Sequence, residues 1–578
     1  MKQLSLRVAQ RASVFLFLCV AAFACMNRDS TTVAPTEAQL LKLAVRGTSG
    51  PLDDDGDQDS PEVALGHRLF KETRFAQFFA SHSSDVNQPL AQGDPVMEHT
   101  PYAGKSMNCA TCHMVEEQQN VPGRGMRSYA DFNRRTPIPL REDGRTQTTR
   151  NTPSMVNVDI DRDTPFFLHF DGQFTSVDEL AIAGLTGRNF GWLANESDQA
   201  LAQIVKVIRL DNGNDSLAKE YFGSYAQVFA GTDASIPKQF VLPSEYRMNV
   251  VQASDTQIIA AVGRMIGVYE KSLQFKKDSD GNYSDSPYDL FLKKNNLPRK
   301  PLNGENNLSY ARRLRTAIVS VQDFQFVSEK DGNFKLSTQK FTFGPTELQG
   351  FQIFLAENSD DASLYRRANP RSKGGGGSCI TCHAPPDFTD FKFHNTGATQ
   401  IEYDGIHGVG TFAHLGIPDL KERNDNPEIY LGPSAAHPKA AGMFITPPSA
   451  LRPGFTDLGL WNVVGNPGIS NPQAAIKSLL CSTENSVSAN CSDNVLLERA
   501  LALFKTPSLR DLGQSQPYLH TGQKDTLEDV IRFYQATAAL EKLGRLRNGA
   551  PELSFIDLAP EDVAPLASFL SSLNEDYH

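Results

Sequence analysis

The stretches Cys109-Ala110-Thr111-Cys112-His113 and Cys379-Ile380-Thr381-Cys382-His383 decide how this chain is organised. Each contains two thiols three positions apart, with a histidine directly after the second thiol. Thiols at this spacing can reach the two vinyl groups of a haem, and the adjacent imidazole can ligate the iron from one face. A zinc site would need two further ligands at similar spacing, and a thioredoxin-like motif would not need the histidine. The stretches therefore predict two covalently bound haem c groups, with His113 and His383 as proximal iron ligands.

The length and composition describe a globular protein of more than one domain. The chain has 578 residues, of which 40% are hydrophobic and 21% are charged. One hydrophobic core rarely supports a chain of this length, so two domains are expected, which agrees with two haem motifs. The formal net charge of -11 argues against nucleic acid as a partner.

The N-terminal residues have the pattern of an export signal. Lys2, Arg7 and Arg11 precede an uncharged apolar run at residues 14–24, which is too short for a spanning helix. Residues 1–24 are therefore predicted to be a signal peptide, and the mature protein to be periplasmic or attached to the outer membrane. Cleavage after Ala24 would leave Cys25 first. Simple cleavage and acylation of Cys25, which would add a lipid anchor, remain alternatives.

Two further cysteines lie outside the haem motifs and the signal. Cys481 and Cys491 are close in sequence, and an exported chain can oxidise such a pair. A disulfide is the favoured prediction, and two free thiols are the alternative.

The periodicity of the chain predicts a mostly α protein with long loops. Residues 25–60 are polar and are predicted to be a flexible linker. An N-terminal haem domain is expected at 61–345, with an insertion at about 190–345 that decorates the surface or shapes a substrate cleft. A C-terminal haem domain is expected at 346–578, after a linker near 290–345. The amphipathic stretches predicted as helices are 62–73, 177–185, 197–208, 256–273, 345–357, 496–504 and 526–540.

The residues available as second iron ligands differ between the two motifs. No histidine lies between His113 and His169, and the methionines in that interval are Met114, Met126 and Met155. The first haem is therefore predicted to have an open, reactive face, unless one of these methionines folds back. For the second haem, helical spacing places Tyr534 on one face with Leu527, Val530 and Ile531. Tyr534 is either an iron ligand or a packed core tyrosine.

Several motifs along residues 60–578 support a family resemblance. In order, they resemble the bacterial di-haem cytochrome c peroxidase and MauG family. The motifs are Leu65-Gly66-His67-Arg68-Leu69-Phe70, the first haem motif, Arg150-Asn151-Thr152-Pro153-Ser154, His169-Phe170-Asp171-Gly172, the second haem motif, Phe388-Thr389-Asp390-Phe391-Lys392-Phe393-His394-Asn395-Thr396-Gly397, Phe504-Lys505-Thr506-Pro507-Ser508-Leu509-Arg510 and Pro517-Tyr518-Leu519-His520-Thr521-Gly522.

This resemblance assigns different roles to the two haems. It implies that the N-terminal haem reacts with peroxide and that the C-terminal haem passes electrons to it. The second ligand of the C-terminal haem is methionine in typical peroxidases and tyrosine in MauG, and Tyr534 stands at that place. The resemblance also implies a calcium ion held by Asn151, Ser515 and Pro517, whose oxygens are of the kind calcium prefers.

Two positions depart from the family pattern above the reactive iron. The family moves a proton with a glutamate that a glutamine assists. Leu168 stands at the glutamine position and Asp178 at the glutamate position, with Glu179 next to it. His169 could compensate for the missing glutamine, or could be a packed structural residue. Because leucine cannot hydrogen-bond to peroxide, fast ordinary peroxidase turnover is in doubt.

Three functions remain open at this point. The leading prediction is a di-haem peroxidase that reduces hydrogen peroxide with electrons from a small donor protein, such as a c-type cytochrome or a cupredoxin. The second is a MauG-like oxidase or oxygenase acting on a protein or organic substrate. The third is an electron carrier in which both irons are capped.

Overall fold

The computed structural model describes residues 59–88, 106–113, 138–160, 162–334, 339–357, 361, 376–483, 486–487, 491–512 and 515–575. The predicted signal peptide, Cys25 and nearly all of the predicted linker 25–60 lie outside these residues. Met114 and Met126 lie outside them as well, so their suggested role as iron ligands stays a prediction.

The described part of the chain is mostly helical, as the periodicity predicts. Its first helices are α1 (Pro61–Phe70), α2 (Gln77–His82), α3 (Val177–Leu185), α4 (Ser197–Leu210), α5 (Ser216–Glu220), α6 (Tyr225–Ala230), α7 (Asp255–Ser272), α8 (Pro287–Lys294) and α9 (Asn307–Val319). They are followed by α10 (Pro345–Leu355), α11 (Ala398–His407), α12 (Leu420–Asp425), α13 (Pro427–Tyr430), α14 (Gln473–Cys481), α15 (Asp493–Arg499), α16 (Leu527–Lys542) and α17 (Val563–Ser571).

Strands are few and very short in the described residues. They are β1 (Phe393–His394), β2 (Ser482–Thr483), β3 (Ser486–Val487) and β4 (Phe504–Lys505). β1 pairs antiparallel with β4, and β2 pairs antiparallel with β3. The β1–β4 pair joins the segment after the second haem motif to a much later part of the chain.

Local side-chain chemistry explains where several helices begin. Ser254 caps α7 by accepting a hydrogen bond from the backbone N–H of Gln257, and the Gln257 side chain accepts one from the backbone N–H of Ser254. Thr526 caps α16 in a similar way, because its hydroxyl oxygen accepts a hydrogen bond from the backbone N–H of Asp529. The predicted helix at 496–504 begins earlier and ends at Arg499, because Ala502 adopts a positive φ and residue 504 enters β4.

The first core surrounds the first haem motif. α1 and α7 cross closely there, and α3 packs on α7. Gly66 is required at the crossing, because a Cβ at this position would overlap the carbonyl oxygen of Met265. Buried side chains of 190–283 belong to this core, among them Trp192 and Ile204. Most of the predicted insertion is therefore part of the domain core and not surface decoration, because its apolar helix faces are needed to enclose α7.

The second core corrects the predicted boundary at residue 345. α8 and α9 pack with α10 and α17, and Tyr288 contacts both Phe351 and Phe569. Residues from about 288 to 343 therefore belong with the C-terminal core, although they were expected in an N-terminal insertion or a linker. The aromatic side chains of this segment can be buried only against the helices that follow it.

A third cluster gathers residues 403–501 with Phe167 and Phe393. Within it, Cys481 and Cys491 form a disulfide with a Cα–Cα distance of 5.9 Å, which confirms that prediction. Among the described residues, none of the helices has the length and apolar character needed to cross a membrane.

Candidate functional site

The first haem motif forms a short 3-10 turn at Cys109–Thr111 that polar contacts hold in place. The Asn108 side chain accepts hydrogen bonds from the backbone N–H and the hydroxyl of Thr111, at 2.9 and 2.8 Å. Its amide also donates to the carbonyl oxygen of Lys71, next to α1. Cys109 and Cys112 are not part of a disulfide. The turn thus presents both sulfurs and His113 from a rigid base, as haem attachment requires.

A cavity opens in front of this turn, and its wall is built by both halves of the chain. α3 contributes Leu180, Ala181 and Gly184, and α7 contributes Glu270. Further parts of the wall come from the loop 148–158, the segment 168–170 and the segment 505–508. We call this space the first cavity. It brings Cys109, Cys112 and His113 together, so the residues fit a covalently held haem.

Leu168 and His169 both lie in the wall of the first cavity. Leu168 is buried, and its apolar side chain cannot form a hydrogen bond. His169 has a positive φ of 63°. It lies in the turn between Leu168 and Phe174, which pair with each other as an isolated antiparallel β-bridge. Burial lowers the pKa of His169 to about 4, so its imidazole is neutral near pH 7. A neutral imidazole there can accept a proton or ligate a metal.

The structure does not place Asp178 and Glu179 in the wall of the first cavity. The Oδ1 atom of Asp178 lies 4.0 Å from the Nζ atom of Lys271, and both side chains are about two-fifths exposed. Glu179 is exposed and accepts a hydrogen bond from the side chain of Asn471 at 2.9 Å. Their catalytic role stays a prediction that this geometry does not support, because both carboxylates turn toward solvent-exposed partners.

Glu270 is the carboxylate that lines the first cavity. It lies near the end of α7 and is 8% exposed. Burial, and then the charge of Asp178, raise the pKa of Glu270 to about 8, although Lys271 acts in the opposite direction. The sequence held a signal for it, because Glu270 falls on the face of the predicted helix that carries Gly263, Ile266 and Gly267.

The second haem motif forms a similar 3-10 turn at Cys379–Thr381. Cys379 and Cys382 are free thiols. The Nδ1 atom of His383 lies 2.9 Å from the carbonyl oxygen of Phe388, which leaves Nε2 for iron. Gly377 is required before the turn, because a Cβ there would lie 2.8 Å from the Ile353 carbonyl oxygen and 3.0 Å from the Cys379 sulfur.

The cavity beside this turn, the second cavity, contains Tyr534 in its wall together with Cys379, Cys382 and His383. The helical face predicted for α16 is confirmed, since Leu527, Val530 and Ile531 line the same space. Burial, and then the nearby cysteine thiols, raise the pKa of Tyr534 above its ordinary value. The structure therefore brings Tyr534 to the site where a second ligand would be needed.

Cys382, Asp390 and His394 lie close enough together to suggest a metal site among the described residues. The Nε2 atom of His394 is 2.9 Å from Oδ2 of Asp390. Because Cys382 is one of the two thiols of the haem motif, this cluster belongs to the second haem site.

Residues from three parts of the chain line both cavities, and together we call them the shared segment. Asn151, Phe170, Lys505, Thr506 and Pro507 occur in both walls. The backbone N–H of Lys505 donates to the carbonyl oxygen of Phe170 at 2.7 Å, and its Nζ donates to the carbonyl oxygen of Phe167. Burial, and then the nearby Arg162, lower the pKa of Lys505 to about 8. The two cavities are therefore separated by a few directly bonded residues.

The three residues predicted to hold calcium, Asn151, Ser515 and Pro517, all line the second cavity. The side-chain N–H of Asn151 donates to the carbonyl oxygen of Pro517 at 2.6 Å. Its side-chain oxygen accepts from the N–H of Thr152, and the Ser515 hydroxyl donates to the Asp511 carbonyl. The Asn151 amide and the Pro517 carbonyl oxygen thus lie side by side, and a calcium ion held by these residues stays a prediction.

A family model described as di-haem cytochrome c peroxidase matches residues 60–297. This range contains the first haem motif and every residue of the first core helices α1 to α7. Two curated relatives are cytochrome-c peroxidases named IdrP2. That of Denitromonas iodatirespirans is 24% identical over 205 residues, which cover 35% of this chain and 37% of that protein. That of Pseudomonas sp. strain SCT is 34% identical over 79 residues, which cover 14% of this chain and 19% of that protein.

Solved structures with a related fold were also found. A MauG-like protein associated with microbial copper homeostasis has a TM-score of 0.41 and 15% identity, and the match covers 92% of this chain and 94% of that chain. The diheme peroxidase BthA from Burkholderia thailandensis has a TM-score of 0.42 and 15% identity, with coverages of 91% and 90%.

The match to the curated relatives spans little more than a third of the length of the first of them. The family match nevertheless covers most of the residues that line the first cavity. Residues 60–297 therefore match the di-haem cytochrome c peroxidase family, and both curated relatives are cytochrome-c peroxidases.

Proposed function

We propose that this protein is an exported di-haem c-type oxidoreductase that reduces hydrogen peroxide in the first cavity with electrons delivered through the second. Covalent haem would be held by Cys109 and Cys112 with His113, and by Cys379 and Cys382 with His383. When bound, each haem supplies one-electron redox chemistry, and an open iron supplies a binding place for a peroxide oxygen. A small electron-donor protein, such as a c-type cytochrome or a cupredoxin, would supply the electrons.

The difference between the two cavity walls carries this proposal. The first wall contains a buried carboxylate, Glu270, and a neutral imidazole, His169. Groups of this kind can hold and move the protons that cleavage of an oxygen–oxygen bond requires. The second wall is more apolar: its Glu552 and the imidazoles of His394 and His520 stand among mostly apolar side chains, and it also contains Tyr534. A site with proton-transfer groups suits chemistry, and a dry site with two strong ligands suits electron transfer.

The segment shared by the two cavities supports an internal electron route. Phe170 and Lys505 line both walls and are joined by a backbone hydrogen bond of 2.7 Å. Electrons that enter at the second haem would need to cross only this segment to reach the first. The aromatic ring of Phe170 and the buried cation of Lys505 would lie on the way.

Export is proposed from the N-terminal sequence. The charged start, the apolar run and the small residues before Cys25 support a signal peptide. Intact mass and N-terminal sequencing of the mature protein from its native host separate the alternatives. A free N terminus at Cys25 indicates simple cleavage, an added diacylglyceryl mass indicates a lipid anchor, and an intact Met1 removes the proposal of export.

A MauG-like reaction is the second candidate, and two observations favour it. Tyr534 lies in the wall of the second cavity, and Leu168 replaces a hydrogen-bonding residue in the wall of the first. In this alternative, a protein or organic substrate and not a donor cytochrome supplies the electrons. The buried segment between the cavities would serve that route equally well.

Spectra of the purified holoprotein before and after peroxide addition test these proposals. Absorption and electron paramagnetic resonance should show one high-spin and one low-spin haem, and peroxide should change the bands. Steady turnover with reduced cytochrome c supports the peroxidase. A peroxide response without such turnover supports the MauG-like alternative. Two low-spin haems that do not respond to peroxide indicate an electron carrier, and a His169→Ala variant that becomes high-spin would identify His169 as the cap.

A further inference from the structure

Glu270 occupies a position that packing alone would give to an apolar residue. It lies on the face of α7 that packs against α3, one turn beyond Gly267 and two turns beyond Gly263. A Cβ at either glycine would contact Asp178 of α3, so the two helices approach closely along this line. Glu270 is the next residue of the line, and it is where the packed face ends at the first cavity. Its carboxyl group is therefore held between two helices, with the cavity in front of it.

The alternative carboxylates nearby are directed elsewhere. Asp178 lies beside Lys271, and Glu179 is bonded to Asn471 at the surface. The titratable groups whose charges act on Glu270 are Asp178 and Lys271, and the charge of Glu270 acts in turn on Cys109 of the haem motif. Among the described residues that line the first cavity, Glu270 is the only carboxylic acid side chain.

We propose that Glu270 is the acid–base residue of the first cavity, taking the role that the family resemblance gives to the position of Asp178. This inference rests on the proposed peroxide reduction and assigns its proton transfer to α7. A carboxyl group buried beside one like charge stays protonated near neutral pH, which is the form that donates.

The proton balance of the reaction gives Glu270 a defined task. Reduction of hydrogen peroxide to two water molecules consumes two electrons and two protons. The redox donor supplies the electrons through the second haem. As the oxygen–oxygen bond breaks, Glu270 passes its proton to the departing oxygen, which leaves as water. Solvent then reprotonates Glu270 and supplies the second proton for the other oxygen. His169 remains available to orient the peroxide.

The experiment compares Glu270→Gln with wild-type holoprotein, with Glu245→Gln and Asp178→Asn as matched variants. Glu245 is an exposed carboxylate in the same half of the chain, away from the cavity. Stopped-flow mixing with hydrogen peroxide should show a reaction at least about 100-fold slower in Glu270→Gln. Glu245→Gln should stay within about threefold of wild type, and Asp178→Asn should slow the reaction less than Glu270→Gln does. Circular dichroism confirms that each variant is folded.

An independent readout follows the proton itself. Infrared difference spectra between pH 6 and pH 10 should show a carboxylic acid C=O band that Glu270→Gln lacks and Glu245→Gln retains. Glu270→Asp, which keeps the acid on a shorter stem, should recover part of the rate. Wild-type-like peroxide kinetics in Glu270→Gln, or a slow reaction in Asp178→Asn alone, would overturn the assignment. A wild-type protein that does not react with peroxide would instead overturn the proposed function, and this inference with it.

Discussion

Single side chains give the two haem sites their different character. Glu270 places an ionisable group in the first cavity, and Tyr534 places a phenol in the second. Burial raises the pKa of both groups, but only the carboxyl group titrates within an accessible pH range.

Glu270 should make the stability of the protein depend on pH in a defined window. Its pKa is about 8 in the folded protein, compared with 4.5 ordinarily. Between these values the folded state holds a proton that the unfolded state has lost, so stability falls as pH rises from about 5 to 8. In Glu270→Gln this fall should be smaller by roughly a few kcal/mol. Thermal unfolding of wild-type and Glu270→Gln holoprotein at several pH values measures this fall in stability. If stability falls equally steeply with pH in the two proteins, the prediction is wrong.

Tyr534→Phe should change only the low-spin haem. The phenylalanine ring keeps the packing against the cluster that contains Ala538 and Leu553 but removes the oxygen that would bind iron. Electron paramagnetic resonance should show an altered or lost low-spin signal while the high-spin signal stays as in wild type. Tyr518→Phe is a suitable control, because Tyr518 lines the same cavity and its hydroxyl donates to the Leu512 carbonyl. An unchanged Tyr534→Phe spectrum removes Tyr534 as a ligand.

At the scale of elements, helix crossings and not strands position the haem motifs. α1 crosses α7 beside the first motif, and α10 packs with α17 beside the second. Both crossings rely on a glycine, since a Cβ at Gly350 would overlap the carbonyl oxygen of Pro565 in the same way as one at Gly66 would meet Met265. Backbone atoms cannot move aside as flexible side chains do, so these positions admit no larger residue.

Gly66→Ala should therefore destabilise the first core although alanine favours helices. The added methyl group would push α1 away from α7, and we expect a loss of at least about 2 kcal/mol from strained packing. Gly405→Ala is the control, because Gly405 lies in α11 with no neighbour within 4 Å of its Cβ position. That change should be stabilising by about 0.5–1 kcal/mol. Urea unfolding measures both, and a Gly66→Ala protein as stable as wild type would show that the crossing can widen.

On the scale of the whole molecule, a buried ion-pair network joins early and late parts of the chain. Arg150 pairs with Asp171 at 2.6 Å and with Asp457 at 2.6 Å, and both carboxylates are almost fully buried. Burial alone would raise the pKa of Asp457, but Arg150 holds it below its ordinary value. The same arginine lines the first cavity, so the network also supports the wall of the site.

Removal of Arg150 should cost far more than removal of a surface arginine. Arg150→Ala leaves two buried carboxylates without their cation, for which a loss of about 3–5 kcal/mol is expected. Arg209→Ala, which breaks a largely exposed pair with Asp255, should cost less than about 1 kcal/mol. Calorimetry of the two variants tests this, and the Arg150→Ala loss should shrink at low pH, where Asp457 becomes protonated. Equal losses in the two variants would show that the network contributes little.

Local patterns in the sequence were sufficient for the cysteine motifs, for several of the helices and for the disulfide. Two thiols and an imidazole within five residues predict haem attachment without reference to the rest of the chain. Amphipathic periodicity placed α3 at its observed bounds and α7 within one residue of them. The same periodicity put Tyr534 on the face of α16 that lines the second cavity.

Only the tertiary structure decided which distant residues meet. It assigned 288–343 to the C-terminal core, turned Asp178 and Glu179 away from the first cavity and brought Glu270 to it. Helical spacing shows which side chains share a face, but not which face a neighbouring helix covers. That choice depends on the apolar area buried when separate segments pack together, and it is a property of the whole fold.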